Sequence, residues 1–286
     1  MTEEALEEVS LDDEDEDTVE VPSKVQKQEE QPKPEVKVAK NVTGEATVTL
    51  AEVKDLLNCI KAISGLIAEI SIEVKKDGIS MTAMDAANVA MVVFNMKPEA
   101  FVTYNVVTEG TFGVKLTELK AFLERVKGDA VTIEFGQKIQ VSSAGQVKKR
   151  FSLAVIELDD QKPQKLPEMN FTTEVAIDTK ELADALEDAA LVSEACRFKL
   201  TDGQFLIEAS GDLNAARIEM PKALVQKAQK DSVSRYALEY LGHMVKVNIS
   251  DKIVFQFGSD YPMKLNYKTG HCTLTFLLAP RVENSD

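Results

Sequence analysis

The stretch "TKELADALEDAALVSEACRFKLTDGQFLIEAS" (residues 179–210) repeats the pattern of residues 51–83, in which an amphipathic helix precedes two strands. An apolar stripe at helical spacing in the first copy is formed by Val53, Leu56, Leu57, Ile60, Ile63 and Ile67. The two strands meet at Asp77-Gly78 in the first copy and at Asp202-Gly203 in the second, and such dipeptides favour hairpin turns. Because corresponding residues lie about 122–127 positions apart, the chain is predicted to contain two domains of one topology.

Further strands and helices flank this unit in the same order in both halves. "EATVTL" (45–50) and "TEVAID" (173–178) alternate as strands before the first helix of each half. A second helix is predicted to start near Thr117, and "SRYALEYLGHMVK" is its counterpart, which puts Arg235 on the last helix. The segment "GTFG" (110–113) is interpreted as a plain turn before a helix. The predicted fold class is α+β, with duplicated helices on antiparallel sheets.

Four segments are predicted from changes in composition. Residues 1–40 carry fourteen acidic residues against five lysines and no aromatic residue, which is typical of a disordered acidic tail. Residues 41–156 and 171–286 are the two repeated domains. Residues 157–170, "ELDDQKPQKLPEMN", contain prolines and no periodicity, so we expect an extended interdomain connector.

The sequence offers little for catalysis or cofactor binding. It has neither a phosphate-binding glycine motif nor the H-E-x-x-H or C-x-x-C pattern of a metal site. Three well-separated cysteines favour reduced thiols in an intracellular protein, and the N-terminus lacks a signal-peptide pattern. His271 and Cys272 are adjacent in a predicted strand, so they should point to opposite faces. We expect no enzyme, no cofactor and no metal; a thiol- or metal-dependent enzyme is the less favoured alternative.

The stretch "MTAMDAANVAMVVFNM" (81–96) has four methionines and one charged residue, Asp85. Methionine fills irregular cores, but it also lines adaptable binding surfaces. Apolar patches are seldom exposed on soluble proteins, so a core strand is the first interpretation. A binding surface remains the alternative.

Taken together, the duplication, the connector, "MTAMDAANVAMVVF" and the ending "LTFLLAPRVE" resemble the DNA polymerase sliding clamp, the proliferating cell nuclear antigen family, in its archaeal form. "LVSEACRFKL", "YLGHMVK" and "SDYPMKLNY" fit the same resemblance, which covers about residues 42–284. It implies a closed ring of three subunits around double-stranded DNA, in the archaeal cytoplasm and associated with the nucleoid. Such a ring is a processivity factor that tethers DNA polymerase and other replication and repair enzymes. The alternative is a checkpoint-type clamp subunit in a mixed ring.

The resemblance also implies which residues face the DNA. Helices line the hole of such a ring, so their outward cations would meet phosphates without reading the base sequence. The residues expected there are Lys54, Lys61, Arg125, Lys127, Lys180, Arg235 and Lys246. Because Lys180 shares its helix face with Asp184 and Glu187, we expect this hole to be less basic than is usual for the family.

A surface pocket under the connector is implied as well. It would receive short helical peptides with apolar and aromatic anchors from DNA polymerase, flap nuclease, DNA ligase and the clamp loader. The expected pocket residues are Met84, Asn88, Val89, Met91, Leu166, Pro167, Pro262, Leu277, Ala279 and Pro280. Leu277 stands where eukaryotic members have an aromatic residue.

The ring is expected to close as a homotrimer through edge strands. By resemblance, "QVKKRFSLAV" of one subunit pairs with "NAARIEM" of the next, and the basic strand faces an acidic helix. The expected interface residues are Lys148, Lys149, Arg150, Asp184, Asp188 and Arg217.

Overall fold

The computed structural model describes residues 37–39, 42–126, 128–158, 167–247 and 249–282, all within one compact unit, Val36–Asp286. The predicted acidic tail lies outside the described residues except for 37–39. Residues 157–158 and 167–170 of the predicted connector have neither helix nor strand, and residues 159–166 lie outside the description. The domain boundaries therefore stay predictions.

Each half contains, within these ranges, the same series of nine strands and two α-helices. The first half has β1 (Glu45–Leu50), α1 (Lys54–Ser64), β2 (Glu69–Lys75), β3 (Gly78–Met84), β4 (Ala90–Met96), β5 (Thr103–Thr108), β6 (Gly110–Lys115), α2 (Leu116–Val126), β7 (Val131–Phe135), β8 (Lys138–Ala144) and β9 (Lys148–Ala154). The second half has β10 (Thr173–Asp178), α3 (Thr179–Ala190), β11 (Ala195–Thr201), β12 (Gln204–Ser210), β13 (Ala215–Glu219), β14 (Leu224–Ala228), β15 (Ser232–Ala237), α4 (Leu238–Val245), β16 (Lys252–Phe257), β17 (Met263–Thr269) and β18 (Cys272–Leu278). The predicted α+β duplication is confirmed.

The strands form three antiparallel sheets, and one of them joins the two halves. The first sheet has the order β5-β1-β7-β8-β9, and the third has the order β13-β12-β11-β15. The central sheet has nine strands in the order β14-β10-β16-β17-β18-β4-β3-β2-β6. Five of its strands are the counterparts of the first sheet, and the other four are the counterparts of the third. The pairing of β18 with β4 therefore joins one complete five-stranded unit to one complete four-stranded unit.

The helices bury the apolar stripes that the sequence predicts. In α1, Leu56, Leu57 and Ile60 are buried, and the whole predicted stripe belongs to the core. Helix α1 packs against α2, α3 packs against α4, and α1 also contacts α4. At the start of α3, the Asp178 carboxylate accepts hydrogen bonds from the backbone amides of Lys180 and Glu181, as an N-cap residue does.

Two local predictions are wrong. "GTFG" is not a turn but the start of β6, because its glycines allow neighbouring backbone to approach closely: a Cβ on Gly113 would lie 2.3 Å from the Ile156 carbonyl oxygen. Arg235 lies on β15 and not on the last helix. Its segment "SVSRYA" alternates, with Ser232, Ser234 and Tyr236 buried, because an extended strand puts every second residue on the same face.

The two hairpin turns also differ in detail. In the second half the loop is Asp202-Gly203, and both residues have positive φ (48° and 74°), as a two-residue hairpin loop favours. In the first half Lys75 pairs with Gly78, so the two-residue loop is residues 76–77 and Gly78 already belongs to β3. The predicted turn is therefore displaced by one residue in the first copy only.

Candidate partner-binding and DNA-facing surfaces

The methionine-rich stretch contributes to both faces of the central sheet. Met81 and Met96 are buried in the core. Met84 lies opposite Met91, and Met91 lies opposite Leu277 of β18. Directly opposite residues of antiparallel strands share a face, so these three side chains form one apolar row on the other face of the sheet. Met84 is half-buried, whereas Met91 and Leu277 are 4% and 8% exposed.

The turn between β3 and β4 is held by the carboxylate of Asp85. It accepts hydrogen bonds of 2.7 Å from the backbone amides of Val89 and Ala90, and one of 2.7 Å from the Tyr240 hydroxyl on α4. Burial alone would raise the pKa of this carboxyl, yet the amides and the Tyr240 hydroxyl keep the pKa below its usual value. The same hydrogen bond raises the pKa of Tyr240 to about 12. Sequence reasoning missed this contact, because the two residues are remote in the chain.

This turn also positions other predicted pocket residues. Asn88 is exposed and adopts a φ of 58°, a left-handed conformation that Asn tolerates well. The backbone amide of Ala279 donates to the Val89 carbonyl oxygen at 2.9 Å. The end of β18 is thereby tied to the turn.

Two cavities include further predicted pocket residues. A cavity of about 1010 Å³ lies between α3, α4 and the segment Ala279–Arg281, and Val89 also lines it. A smaller cavity of about 250 Å³ is lined by Pro167, Leu277 and Lys264, among others.

These two cavities together contain only part of the predicted pocket, which therefore stays a prediction. Pro262 is half-buried just before β17, and Leu166 lies outside the described residues. The other predicted pocket residues lie near the β18–β4 junction, but they are divided between the two cavities, the turn and the apolar row.

The predicted DNA-facing lysines are mostly engaged by acids of the helices. Lys61 pairs with Glu124 at 3.2 Å, and Lys246 pairs with Glu187 at 3.4 Å. Lys180 pairs with Asp184 on its own helix at 3.1 Å. Pairs this exposed contribute about 0.2–1 kcal/mol, so a phosphate can compete for the lysine.

The other predicted cations differ in position. Lys54 and Arg125 are exposed on α1 and α2, and Lys127 lies outside the described residues. Arg235 lies opposite Arg197, on paired strands rather than on a helix. Helix α3, one of the helices α1–α4 that we together call the helix layer, carries four acidic residues and one lysine.

The predicted interface residues lie on or beside β9, an outer strand of the first sheet, and β13, an outer strand of the third. Within the described ranges, each of these strands pairs on one side only. Lys148 and Arg150 are exposed, whereas the Lys149 ammonium donates to the Arg125 carbonyl oxygen at the end of α2. Phe151 of β9 stacks on Phe122 of α2 with ring centroids 4.8 Å apart.

The second side of the predicted interface is on β13 and α3. Arg217 pairs with Glu208 at 2.8 Å and with Glu219 at 3.2 Å. Asp188 is exposed on α3, and Asp184 is the partner of Lys180. Arg217 and Asp184 therefore already have partners within a single chain.

The thiols are poorly placed for chemistry. Cys59, Cys196 and Cys272 are all buried. Burial raises the pKa of Cys196 to about 12 and that of Cys272 to about 11, and it raises the pKa of Cys59 as well. Among the residues that the structure describes, no three His, Cys, Asp or Glu side chains are grouped to hold a metal ion. Within the same ranges, no helix is long and apolar enough to span a bilayer.

The chain is similar to known proteins in sequence and in fold. The chain is 33% identical to the DNA polymerase sliding clamp of Pyrococcus furiosus over 239 residues, which covers 80% of this chain and 96% of that relative. It is 31% identical to the DNA polymerase sliding clamp of Thermococcus onnurineus over 240 residues, 81% of this chain and 96% of that relative.

Solved structures agree on the fold. A crystal structure of PCNA from Thermococcus kodakaraensis has a TM-score of 0.77 at 22% identity and covers 82% of this chain and 100% of that chain. The proliferating cellular nuclear antigen of Entamoeba histolytica has a TM-score of 0.78 at 16% identity, covering 83% and 99%. Residues 45–144 match the family described as "Proliferating cell nuclear antigen, N-terminal domain". The chain therefore belongs to the DNA polymerase sliding clamp family.

Proposed function

We propose that this chain forms a homotrimeric ring around double-stranded DNA and tethers DNA polymerase as a processivity factor. The observation that carries the proposal is the repeat itself. Strands β18 and β4 join a five-stranded unit to a four-stranded unit inside the chain, while their counterparts β9 and β13 are left as open edges of the described chain. An open edge is a template for further pairing, and identical head-to-tail contacts close into a ring when the rotation allows it.

The repeat supplies a register for the proposed contact. The row Val175, Phe255, Leu265, Phe276 is matched in the first half by the row Val48, Ile133, Val141, Phe151. The row Ile72, Met81, Phe94 is matched in the second half by the row Phe198, Ile207, Ile218. Phe276 lies opposite Val92, two residues before Phe94. If β9 pairs with β13 of the next subunit in the register of β18 with β4, Phe151, the counterpart of Phe276, should lie opposite Ala216, two residues before Ile218. In the same register, Lys148 should lie opposite Glu219.

The proposed partners follow from the two remaining surfaces. The helix layer, with its exchangeable ion pairs, suits weak contact with phosphates of duplex DNA in any sequence. The apolar row of Met84, Met91 and Leu277 suits a short peptide with apolar anchors of the type Q-x-x-(Leu/Ile)-x-x-aromatic-aromatic. DNA polymerase, the clamp loader, flap nuclease and DNA ligase are the proposed carriers of such peptides in the cytoplasm.

Reversing one charge at the proposed junction should weaken the ring. Lys148→Glu would put a carboxylate opposite Glu219, so an attraction worth about 0.2–1 kcal/mol per interface becomes a repulsion of similar size. We expect the variant trimer to dissociate at higher protein concentration than wild type, as measured by sedimentation at a series of dilutions. High salt should weaken the wild-type trimer modestly.

The reciprocal change is the control for this prediction. Lys148→Glu combined with Glu219→Lys should restore the trimer, and Lys268→Glu on β17, away from the junction, should leave it unchanged. Lys148 is a cleaner choice than Lys149, because Lys149 also holds the carbonyl at the end of α2. A double variant as weak as the single one would contradict the register.

Removing the helix-layer lysines should weaken DNA binding without affecting the trimer. Lys54, Lys61 and Lys246 should each account for at most about one unit of the slope of affinity against salt, because one lysine neutralises at most one phosphate. The measurement is the affinity of the triple alanine variant for a short duplex over a range of salt. Glu124→Gln with Glu187→Gln should have the opposite effect, since it releases Lys61 and Lys246 from their partners. Equal slopes for all three proteins would exclude these side chains from DNA binding.

The apolar row gives a matched pair of methionine variants on one strand. Met84→Ala should reduce affinity for the peptide about tenfold, because burying a large apolar anchor is worth about 1.5–3 kcal/mol. Met81→Ala, on the core face, should instead lower the free energy of unfolding by about 2–5 kcal/mol. Calorimetric titration and chemical denaturation of both variants separate the two effects. If Met84→Ala lowers the free energy of unfolding by about 2–5 kcal/mol while its peptide affinity holds, the row is core and not a binding surface.

A further inference from the structure

We propose that the peptide site prefers a partner with a carboxylate side chain next to its apolar anchor, and that Lys264 is the residue that sets this preference. The inference rests on the proposed peptide-binding function and adds a charge requirement to it. The proposed partner is thus a peptide with apolar anchors and one acidic side chain beside an anchor. The Lys264 ammonium at the end of the apolar row would bind that acidic side chain.

The apolar row continues across the sheet as a polar row. Leu277 lies opposite Lys264, Lys264 opposite Gln256, and Gln256 opposite Glu174. Glu174 in turn lies opposite Lys227 at the outer strand β14. Neighbouring strands are about 4.8 Å apart, so Lys264 is one strand away from the apolar part of the row. A peptide side chain beside the anchor on Leu277 can therefore reach the Lys264 ammonium.

Lys264 is the cation of this polar row that has no partner in the described chain. The Gln256 amide donates to the Glu174 carboxylate at 2.5 Å, and the Lys227 ammonium donates to the Phe171 carbonyl oxygen. Lys264 forms neither an ion pair nor a side-chain hydrogen bond with the residues that the structure describes. It is half-buried beside Leu277, where a charge is screened less than on an open surface. A carboxylate placed there would gain a charge-assisted hydrogen bond.

The shape of the surface agrees with this assignment. Lys264 and Lys227 line the cavity of about 250 Å³ together with Pro167 and Leu277, two residues of the predicted peptide pocket. Ligand pockets for whole small molecules measure about 300–1,000 Å³, so this cavity suits a single side chain better than a complete ligand. Because Lys227 is engaged by the Phe171 carbonyl, Lys264 is the side chain that makes this cavity a receptor for an anionic group at the edge of an apolar site.

The test uses a series of synthetic peptides of the apolar type, in which a single Glu or Gln is moved through each position next to the anchors. Wild-type full-length protein should bind one Glu peptide about three- to tenfold more tightly than its Gln counterpart, and the difference should shrink in high salt. Lys264→Met should remove this preference and keep the affinity for the Gln peptide. Lys268→Met, four residues further along the same strand and on the same face, should keep the preference.

The outcomes separate the charge requirement from the site itself. If wild-type protein binds every Glu peptide and its Gln counterpart equally, the charge requirement is wrong. If Lys264→Met and wild type discriminate equally at every Glu position while Met84→Ala weakens binding about tenfold, the peptide site stands and the role of Lys264 is wrong. If wild-type protein binds none of the peptides, the proposed peptide site fails and this inference fails with it.

Discussion

The pairing of β18 with β4 is the contact on which the rest of the structure depends, because it joins the five-stranded unit of one half to the four-stranded unit of the other. Backbone amides and carbonyls at a sheet edge need hydrogen-bond partners, and this pairing satisfies two edges at once. The duplication leaves β9 and β13 with the same need and with no strand of the described chain to meet it. Pairing with further copies of the chain would meet that need, and in a closed ring every subunit would have both strands paired.

The same junction builds the proposed peptide site. Met91 and Leu277 come from different halves of the chain and become neighbours only when β4 and β18 pair. The row then changes from apolar at Met84 to charged at Lys264. In the proposed site, the apolar side chains on β3, β4 and β18 provide affinity for the peptide, and Lys264 on β17 provides the preference for a carboxylate. Asp85 adds a second tie, since its hydrogen bond to Tyr240 connects the edge of this site to a helix of the proposed DNA-facing layer.

Local periodicity is sufficient to predict the apolar helix stripes, several strand boundaries and the duplication, because these depend on neighbours in sequence. Periodicity does not predict the strand at "GTFG", because Gly113 is required there by the close approach of the Ile156 carbonyl oxygen from a remote segment. It fails for Arg235 because a strand leads directly into the helix without a break in composition. The apolar row was predicted only through resemblance to a family. The position of Lys264 beside Leu277 depends on strand register, which no local pattern contains.

The most direct test of the central claim is disulfide cross-linking across the proposed β9–β13 junction. The register inferred from the repeat puts Ser152 opposite Ala215 of the next subunit, and directly opposite residues have the Cα separation that a disulfide requires. After oxidation, Ser152→Cys with Ala215→Cys should run on a denaturing gel as a species of three linked chains, and either single variant should run as one chain. Single chains alone from the double variant, under the same oxidation, would contradict closure of the ring through this junction.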